Sequence, residues 1–214
     1  MAFNPTQALL DLAFEYKALR FGEFELKSGR ISPYFFNAGV FADGRSIDQL
    51  ARCYAQALMD SGVGFDQLFG PAYKGIPLVA AIAMALQRDF GLNVPFIYNR
   101  KEAKDHGEGG QLVGPALGGR VIIVDDVISA GTSVKESVAW IEDAGAQAQG
   151  ALIALDRQER GDDDRSAVQM VRDLGLDVIS VATLDALIDW AKDKGVADGA
   201  AMEAYRTRYG ARSS

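Results

Sequence analysis

The sequence has almost none of the residues that would cross-link the chain or insert it into a membrane. Cys53 is the single cysteine among 214 residues, so no disulfide can form within the chain, and a reducing compartment is favoured. The longest apolar run, residues 78–86, is far too short to span a bilayer. The first ten residues lack the basic and apolar regions of a secretory signal. These features predict a cytoplasmic protein that does not bind membranes.

Positive charge is also scarce. The chain carries 22 lysine and arginine residues against 29 acidic ones, which gives a formal net charge of −7. A protein that coats a nucleic-acid duplex usually has the opposite balance, so no nucleic-acid partner is predicted. Against this background, the cluster of cations in residues 100–106, which includes the single histidine, indicates an anionic ligand.

The order of predicted elements indicates the fold class. From about residue 46 onwards, predicted strands alternate with predicted helices, and strands such as "VIIV" and "ALIAL" are apolar throughout. That pattern is typical of a parallel sheet covered on both faces. We therefore predict one α/β domain over residues 1–214, with an open, mainly parallel twisted sheet flanked by helices in residues 46–214 and a small N-terminal α/β hood in residues 1–45.

Two local predictions concern the ends of elements. The first helix is predicted to run from Pro5 to about Arg20, because apolar residues recur there at helical spacing. The polar, glycine-rich segment 100–119 shows no periodicity and is predicted to be a long loop.

Ligands of open α/β sheets bind at the carboxyl ends of the strands, where residues 70–76, 100–111 and 125–133 are expected. The last of these lies within "VIIVDDVISAGTS", where an apolar strand runs into two aspartates and a loop of small residues. Free backbone N–H groups at the start of the next helix would bind a phosphate. The carboxylates would accept hydrogen bonds from sugar hydroxyls or hold a hydrated Mg²⁺. A capped helix after an aspartate turn, without any ligand, is the alternative. The candidate residues are Asp125, Asp126, Val127, Ile128, Ser129, Ala130, Gly131, Thr132 and Ser133.

This stretch resembles the phosphoribosyl-diphosphate (PRPP) signature of the type I phosphoribosyltransferases. The further stretches "ELKSGRISPYFFN", "GPAYKGIPL", "NRKEAKDHGEGG" and "LDRQERG" are similar, in order and spacing, to those of the orotate phosphoribosyltransferases, and the resemblance covers residues 1–209. Ser129 departs from the family's usual threonine, which keeps the hydroxyl and loses a methyl group. The resemblance implies the type I phosphoribosyltransferase fold, PRPP and orotate as substrates, Mg²⁺ as cofactor and a homodimer.

The resemblance also implies contacts with PRPP outside the aspartate stretch. Tyr73 and Lys74 would hold the diphosphate, and Lys27 would be a further contact. The loop 100–110 would be catalytic and would reach the site of the neighbouring subunit. Its cations are Arg100, Lys101, Lys104 and His106. The Mg²⁺ ion would be held mainly by PRPP, with the two aspartates nearby. Taken alone, the first stretch also fits an ordinary turn that carries an exposed lysine, and the second also fits a solvated loop of mixed charge.

Contacts with orotate are implied at Phe35, Phe36, Ser129 and Arg157. The planar fork of an arginine suits a carboxylate, and leaving it buried and unpaired would cost several kcal/mol, which predicts discrimination against uracil on the order of a thousandfold or more. From the pattern alone, core packing of the two phenylalanines and a surface salt bridge from Arg157 to Glu159 or Asp162 stay open.

The implied reaction transfers ribose 5-phosphate from PRPP to orotate. The residues implied to be catalytic are Lys101, Lys104, His106, Asp125 and Asp126. Two alternatives stay open: a phosphoribosyltransferase for a purine or for uracil, and a non-catalytic PRPP sensor that regulates transcription. A sensor should carry a basic face or an attached DNA-binding domain, and the net charge of −7 and the length of the chain argue against both.

Overall fold

The computed structural model describes residues 3–26, 28–104, 110–128, 131–161 and 164–211, with the backbone alone described at residues 102–104 and 110. Its helices are α1 (Pro5–Glu15), α2 (Gly44–Ser61), α3 (Gly75–Phe90), α4 (Thr132–Asp143), α5 (Ala167–Arg172), α6 (Leu184–Lys194) and α7 (Gly199–Tyr209). Its strands are β1 (Leu19–Glu25), β2 (Ile31–Phe36), β3 (Gln67–Gly70), β4 (Phe96–Lys104), β5 (Gly110–Val113), β6 (Arg120–Asp125), β7 (Gln147–Asp156) and β8 (Asp177–Thr183). None of the helices in these ranges combines the length and the apolar character that crossing a bilayer requires.

The strands form one large sheet and one hairpin. The large sheet has the order β5-β4-β3-β6-β7-β8, and β1 and β2 pair separately as an antiparallel hairpin. Neighbouring strands of the large sheet are parallel except β4 and β5. The carboxyl ends of β3, β6 and β7 therefore lie side by side at one edge, with β6 in the middle.

The two faces of the sheet are buried in two separate apolar cores. In β6, Ile122 and Val124 belong to the core formed with α1, α2, α3 and α6, whereas Val121 and Ile123 belong to the core formed with α4 and α5. Since successive side chains of a strand point to opposite faces, a strand buried on both sides is apolar throughout. The prediction of an open, mainly parallel sheet flanked by helices is confirmed.

The first helix is shorter than predicted, because it ends at Glu15 and not at Arg20. Lys17 has a positive φ of 59°, and a residue in this left-handed conformation stops a helix. The apolar residue Leu19, which fitted the helical spacing, instead opens β1 and is buried there. Hydrophobic spacing alone could not detect this change from helix to strand.

The position of α1 also differs from the predicted hood over residues 1–45. The hydroxyl of Thr6 donates a hydrogen bond to the carbonyl of Val181 in β8 at 2.6 Å. The indole N–H of Trp190 in α6 donates to the carboxylate of Asp11 at 3.0 Å. Thus α1 packs with the large sheet, and the β1–β2 hairpin is the part of this region that forms a sheet of its own.

Part of the segment predicted as a long loop, residues 100–119, is β structure, so that prediction is wrong. β4 continues to Lys104, and β5 pairs with it antiparallel, with Tyr98 opposite Val113. This pairing forms an edge of the sheet, where backbone hydrogen bonds hold the two strands together. Because no apolar face is needed there, periodicity could not reveal these strands.

Candidate active site

The acidic pair lies where β6 ends. Asp125 is the last residue of the strand, and Asp126 follows it with a side chain that is almost fully buried. The backbone N–H of Asp126 donates to the carboxylate of Asp125 at 2.8 Å, and the Ser133 hydroxyl donates to its other oxygen at 3.3 Å. On α2, the hydroxyl of Tyr54 donates to the Asp125 carbonyl at 3.0 Å. The pair is therefore fixed by the start of α4 and by α2.

The turn between β3 and α3 brings a cation to this pair. Gly70 and Gly75 approach so closely that a Cβ on Gly70 would lie 2.3 Å from the carbonyl oxygen of Gly75. Side chains at these two positions would open the turn, which explains the glycines at both of its ends. Within the turn, the ammonium of Lys74 donates to the Asp126 carboxylate at 2.5 Å. The turn and the acidic pair therefore form one site.

The neighbouring strand β4 supports the same turn. The buried side chain of Asn99, in β4, accepts a hydrogen bond from the backbone N–H of Ala72 at 2.7 Å. The Ala72–Tyr73 peptide bond is cis. The Tyr73 side chain is exposed, and the ammonium of Lys101 lies 4.8 Å from the centre of its ring. The exposed ring of Tyr73 and the ammonium of Lys101 thus lie at the turn that also carries Lys74.

The start of α4 completes the cavity. Among the described residues, no side chain caps the backbone N–H groups of its first turn, and Gly131 before it has a φ of 71°. Such groups at a helix N-terminus attract an anion. A cavity of about 360 Å³ lies in front of them. It is lined by Lys74, Asp125, Asp126, Val127, Ile128, Gly131, Thr132, Ser133 and Val134.

Arg157 lies just beyond β7, the strand next to β6. Its guanidinium donates to the carboxylate of Glu159 through Nε at 3.0 Å and through Nη2 at 2.7 Å. Nε also lies 3.3 Å from the hydroxyl of Tyr34 in β2. The predicted surface salt bridge with Glu159 is therefore a partly buried pair. The other predicted partner, Asp162, lies outside the described residues. Arg157 is therefore a shielded cation at the same sheet edge as the acidic pair.

The two phenylalanines predicted to cover a base lie next to each other in β2. Because neighbouring side chains of a strand point to opposite faces, the two rings do not share a side of the hairpin. Phe36 packs against the core that contains α1 and α2. Phe35 lies beside Phe24, with the Arg20 guanidinium 5.2 Å from its ring centre. A single base would contact only one of these rings through its face.

Several predicted residues cannot be placed. Lys27, His106, Ser129 and Ala130 lie outside the described residues, and the side chain of Lys104 is not described. Arg100 is placed, and its Nη1 nitrogen is buried without a hydrogen-bond partner among the described residues. A buried guanidinium nitrogen without a partner is unfavourable, so an anion that pairs with it would stabilise this region.

A larger cavity, of about 760 Å³, lies between the β1–β2 hairpin and α7. Its lining includes Ile31, Pro33 and Met202 but neither aspartate of the acidic pair and no residue of α4. The smaller cavity is the better candidate active site, because charged groups from two strand ends and an uncapped helix meet there.

Comparison with known proteins agrees with this geometry. The phosphoribosyl transferase domain family matches residues 40–185, which include β3, α4 and β6. An orotate phosphoribosyltransferase from Thioalkalivibrio sulfidiphilus is 57% identical over 94% of this chain and 96% of its own length. The chain belongs to the orotate phosphoribosyltransferase family. It is therefore an enzyme of the phosphoribosyltransferase class, as the sequence stretches predicted.

Further relatives of this phosphoribosyltransferase extend the comparison. An orotate phosphoribosyltransferase from Pseudomonas aeruginosa is 55% identical over 92% of this chain and 94% of its own length. The crystal structure of the orotate phosphoribosyltransferase of Francisella tularensis superposes with a TM-score of 0.85 at 39% identity and covers 94% of this chain and 98% of that one. The likeness extends beyond the shared domain to both ends of the fold.

The acidic pair of this phosphoribosyltransferase suits a hydrated divalent cation that a ligand brings with it. Two adjacent carboxylates face the cavity and could hold the water molecules of such an ion, but Asp126 is already paired with Lys74. Within the described ranges, no group of three or more histidine, cysteine, aspartate or glutamate side chains is arranged to hold a metal by itself. The residues fit an ion held partly by substrate.

Burial, and after it the neighbouring charge of Asp126, raises the pKa of Asp125 from 3.8 to about 6, although the N–H of Asp126 opposes this shift. Between about pH 4 and pH 6, Asp125 therefore binds more protons in the folded protein than in the unfolded chain. In that window the contribution of Asp125 to the free energy of unfolding falls as pH rises, by about 3 kcal/mol at most.

We therefore expect Asp125→Asn to raise the free energy of unfolding at pH 7.5 by about 1–3 kcal/mol and to give no gain near pH 4. Urea unfolding of both proteins at the two pH values measures the difference. The exposed carboxylate of Asp193 on α6 supplies the control Asp193→Asn, which should change stability little and equally at both pH values. A gain from Asp125→Asn that does not depend on pH would contradict burial of a charge at this position.

Sequence reasoning missed the residues that hold this site from behind. The Tyr54 hydroxyl donates a hydrogen bond to the Asp125 carbonyl, and the Asn99 side chain accepts one from the Ala72 N–H. The Tyr34 hydroxyl contacts Arg157. Tyr54 lies in the middle of a helix, where it fits an ordinary apolar position. One feature of the sequence pointed to Asn99, because it is a polar residue at the end of the predicted strand "VPFIYN" and directly precedes the cationic cluster.

Proposed function

We propose that the protein catalyses the transfer of ribose 5-phosphate from PRPP to orotate, with orotidine 5′-monophosphate and diphosphate as products, in the synthesis of UMP. The observation that carries this proposal is the single cavity in which Lys74, the acidic pair and the uncapped start of α4 meet. The names of the relatives at 57% and 55% identity support orotate as the base.

Each part of PRPP has complementary groups in this arrangement. The ribose hydroxyls would donate hydrogen bonds to Asp125 and Asp126. The 5′-phosphate would accept hydrogen bonds from the loop 128–133 and the first turn of α4. The diphosphate would lie against the turn that contains Tyr73 and Lys74, so Lys74 would exchange its contact with Asp126 for one with phosphate.

The reaction needs positioning and charge neutralisation more than a nucleophile. The bond from the anomeric carbon to diphosphate breaks as the base nitrogen approaches, through a transition state with oxocarbenium character. The cations Arg100, Lys101 and Lys104, together with His106, are proposed to neutralise the departing diphosphate. A bound Mg²⁺ would neutralise part of the same charge, with Asp125 and Asp126 holding its water molecules. Arg157 would orient orotate by binding the carboxylate of this base.

Two further parts of the proposal concern the assembly and the location of the enzyme. We propose a homodimer in which the segment 100–110 acts at the partner's site; the family resemblance supports this. A cytoplasmic location is supported by the presence of a single cysteine, Cys53, which is free. Burial raises the pKa of its thiol to about 12, so the thiol is unreactive.

The reaction itself is the test of the function. Purified protein with PRPP and Mg²⁺ is expected to consume orotate, measured as loss of its ultraviolet absorbance, and to release one diphosphate for each orotidine 5′-monophosphate formed. Adenine, guanine and uracil serve as comparison bases in the same assay. Turnover of any of these with none of orotate would contradict the proposed base.

Asp126→Asn tests the donor part of the site. The substitution keeps the size of the side chain but removes its negative charge. The carboxylate that pairs with Lys74, and that would accept hydrogen bonds from the ribose hydroxyls, is lost. We expect PRPP affinity, measured by calorimetry with Mg²⁺, to fall at least tenfold while the circular dichroism spectrum is unchanged. Asp143→Asn, at the end of α4, is the matched control. Unchanged PRPP affinity in folded Asp126→Asn would show that the pair is structural only.

A further inference from the structure

Arg157, the proposed contact of the base, is held by a polar cluster centred on Glu159. A single oxygen of Glu159, Oε1, accepts from Arg157 Nε at 3.0 Å, Arg157 Nη2 at 2.7 Å, the Tyr34 hydroxyl at 3.2 Å and the Tyr205 hydroxyl at 2.9 Å. The side chain of Glu159 is only 14% exposed. The cluster joins the β1–β2 hairpin, the segment after β7 and the C-terminal helix α7.

The hydroxyls that hold Glu159 are neutral donors at any ordinary pH. Burial raises the pKa of Tyr34 far above its usual value and raises that of Tyr205 to about 12. A carboxylate that accepts from several donors keeps one orientation, because turning it would break several hydrogen bonds together. The rings of Tyr34 and Tyr205 also meet edge to face, with centres 6.2 Å apart, which fixes the two hydroxyls relative to each other.

The contact with Glu159 uses one side of the guanidinium and leaves another available. An arginine can present to a carboxylate either its Nε and Nη2 side or the end formed by Nη1 and Nη2. Glu159 takes the first side, and no hydrogen bond from Nη1 is found among the described residues. Because the guanidinium is planar and rigid, fixing one side also fixes the direction of the open end.

We propose that Glu159 is a positioning residue that aims the open end of the Arg157 guanidinium at the carboxylate of the base, and that Tyr34 and Tyr205 hold Glu159 in place. This inference rests on the proposed function, because it assigns the base contact to Arg157. The inference goes further than that function, because it makes selection of the base depend on Tyr205 in α7. The helix α7 takes no part in the proposed PRPP site.

The kinetic signature of positioning is selective. Glu159→Ala lets the guanidinium swing, so the KM for orotate should rise at least tenfold while the KM for PRPP stays within about twofold. The preference for orotate over uracil should fall by a similar factor. A role in stability alone would lower the melting temperature without separating the two KM values.

The conservative variant Glu159→Gln should rescue the defect. The amide oxygen can still accept from Nε and Nη2, so the orientation of Arg157 is kept, and the loss of a negative charge leaves the pocket more attractive to a carboxylate. The KM for orotate should therefore lie within about threefold of wild type. Glu203→Ala on α7, which removes an exposed carboxylate paired with Lys192, is the control and should leave both KM values unchanged.

A second pair of variants tests the role of α7 without removing the charge. Tyr205→Phe removes one donor to Glu159, and we expect a twofold to fivefold rise in the KM for orotate alone. Tyr209→Phe, one turn later on the same helix, is the matched control and should behave as wild type. If Glu159→Ala does not fold, this pair and Glu159→Gln still decide the question.

The outcomes separate the inference from the function on which it rests. Wild-type turnover of orotate, together with an unchanged KM for orotate in Glu159→Ala or Tyr205→Phe, would overturn the role of Glu159 and leave the function standing. An equal rise in both KM values would also overturn it. Absence of orotate turnover in the wild type would overturn the function and the inference together.

Discussion

The protein is expected to use orotate at least a hundredfold more efficiently than uracil, measured as the ratio of the two kcat/KM values at fixed PRPP and Mg²⁺. The two bases differ by the carboxylate that Arg157 is proposed to bind. A hydrogen bond to a charged group contributes about 1.5–3 kcal/mol, and the open end of the guanidinium can make two. Each such bond corresponds to roughly a tenfold to hundredfold preference.

The pairing of Arg157 with Glu159 changes the basis of this expectation. The lower bound of about a hundredfold comes from two lost hydrogen bonds, whereas the prediction from the sequence assumed an unpaired buried cation. Uracil would not leave a bare buried cation behind, because the Glu159 carboxylate already neutralises the guanidinium. Burial by itself would lower the pKa of Arg157, but the contacts with Glu159 and the Tyr34 hydroxyl raise it, so Arg157 stays charged. The missing contact alone, and not a buried unpaired charge, then sets the discrimination.

Arg157→Met assigns the preference to this side chain. It should lower kcat/KM for orotate at least a hundredfold and that for uracil only severalfold, which brings the two bases close together. Arg208→Met, which removes an exposed arginine from α7, is the control. Equal turnover of orotate and uracil by the wild type would refute a carboxylate contact at Arg157, and an unchanged preference in Arg157→Met would place that contact elsewhere.

Mixing two inactive variants is expected to restore about a quarter of wild-type activity. In the proposed homodimer, Lys101 acts at the partner's site and Asp125 at its own, so Lys101→Ala and Asp125→Asn damage different halves of each site. A mixed dimer then has one site with both defects and one with neither. Random exchange makes about half of the dimers mixed, and half of the sites in those are intact. Subunit exchange followed by an assay of orotidine 5′-monophosphate formation measures the recovery.

The structure also offers a competing arrangement for this experiment. Lys101 lies over the ring of Tyr73 in its own chain, so it could act beside its own diphosphate turn. If it does, each subunit of a mixed dimer carries one defect in its own site, so no intact site forms and no activity is recovered. Mixed dimers whose formation is confirmed by native mass spectrometry but which show no recovery of activity would contradict the shared site.

The parts of the fold that the sequence could predict are those with a strong apolar signal. The strand "VIIV" is buried on both faces, so its composition indicated a covered parallel sheet directly. The small residues after Asp126 indicated an anion site, and the uncapped start of α4 lies there. These signals are local, because a few neighbouring residues carry each of them.

The parts that the sequence could not predict depend on distant partners. The antiparallel strand β5 is held by its pairing with β4, and its polar surroundings gave no periodicity. Glu159 could be considered only as a surface partner of Arg157, because nothing local indicates that Tyr34 and Tyr205 would converge on it from opposite ends of the chain. Opposite faces for Phe35 and Phe36 follow from strand geometry, but only once β2 is known to include both.

The separation of the two recognition sites onto neighbouring strands has an evolutionary consequence. Residues proposed to bind the ribose and the 5′-phosphate lie at the end of β6 and after it, whereas Arg157 and Glu159 follow β7 and are tied to the hairpin and to α7. Substitutions after β7 can therefore alter the accepted base without disturbing the donor site. A lineage of such enzymes could acquire new base preferences through changes in peripheral elements, while selection on the shared donor keeps the end of β6 nearly constant.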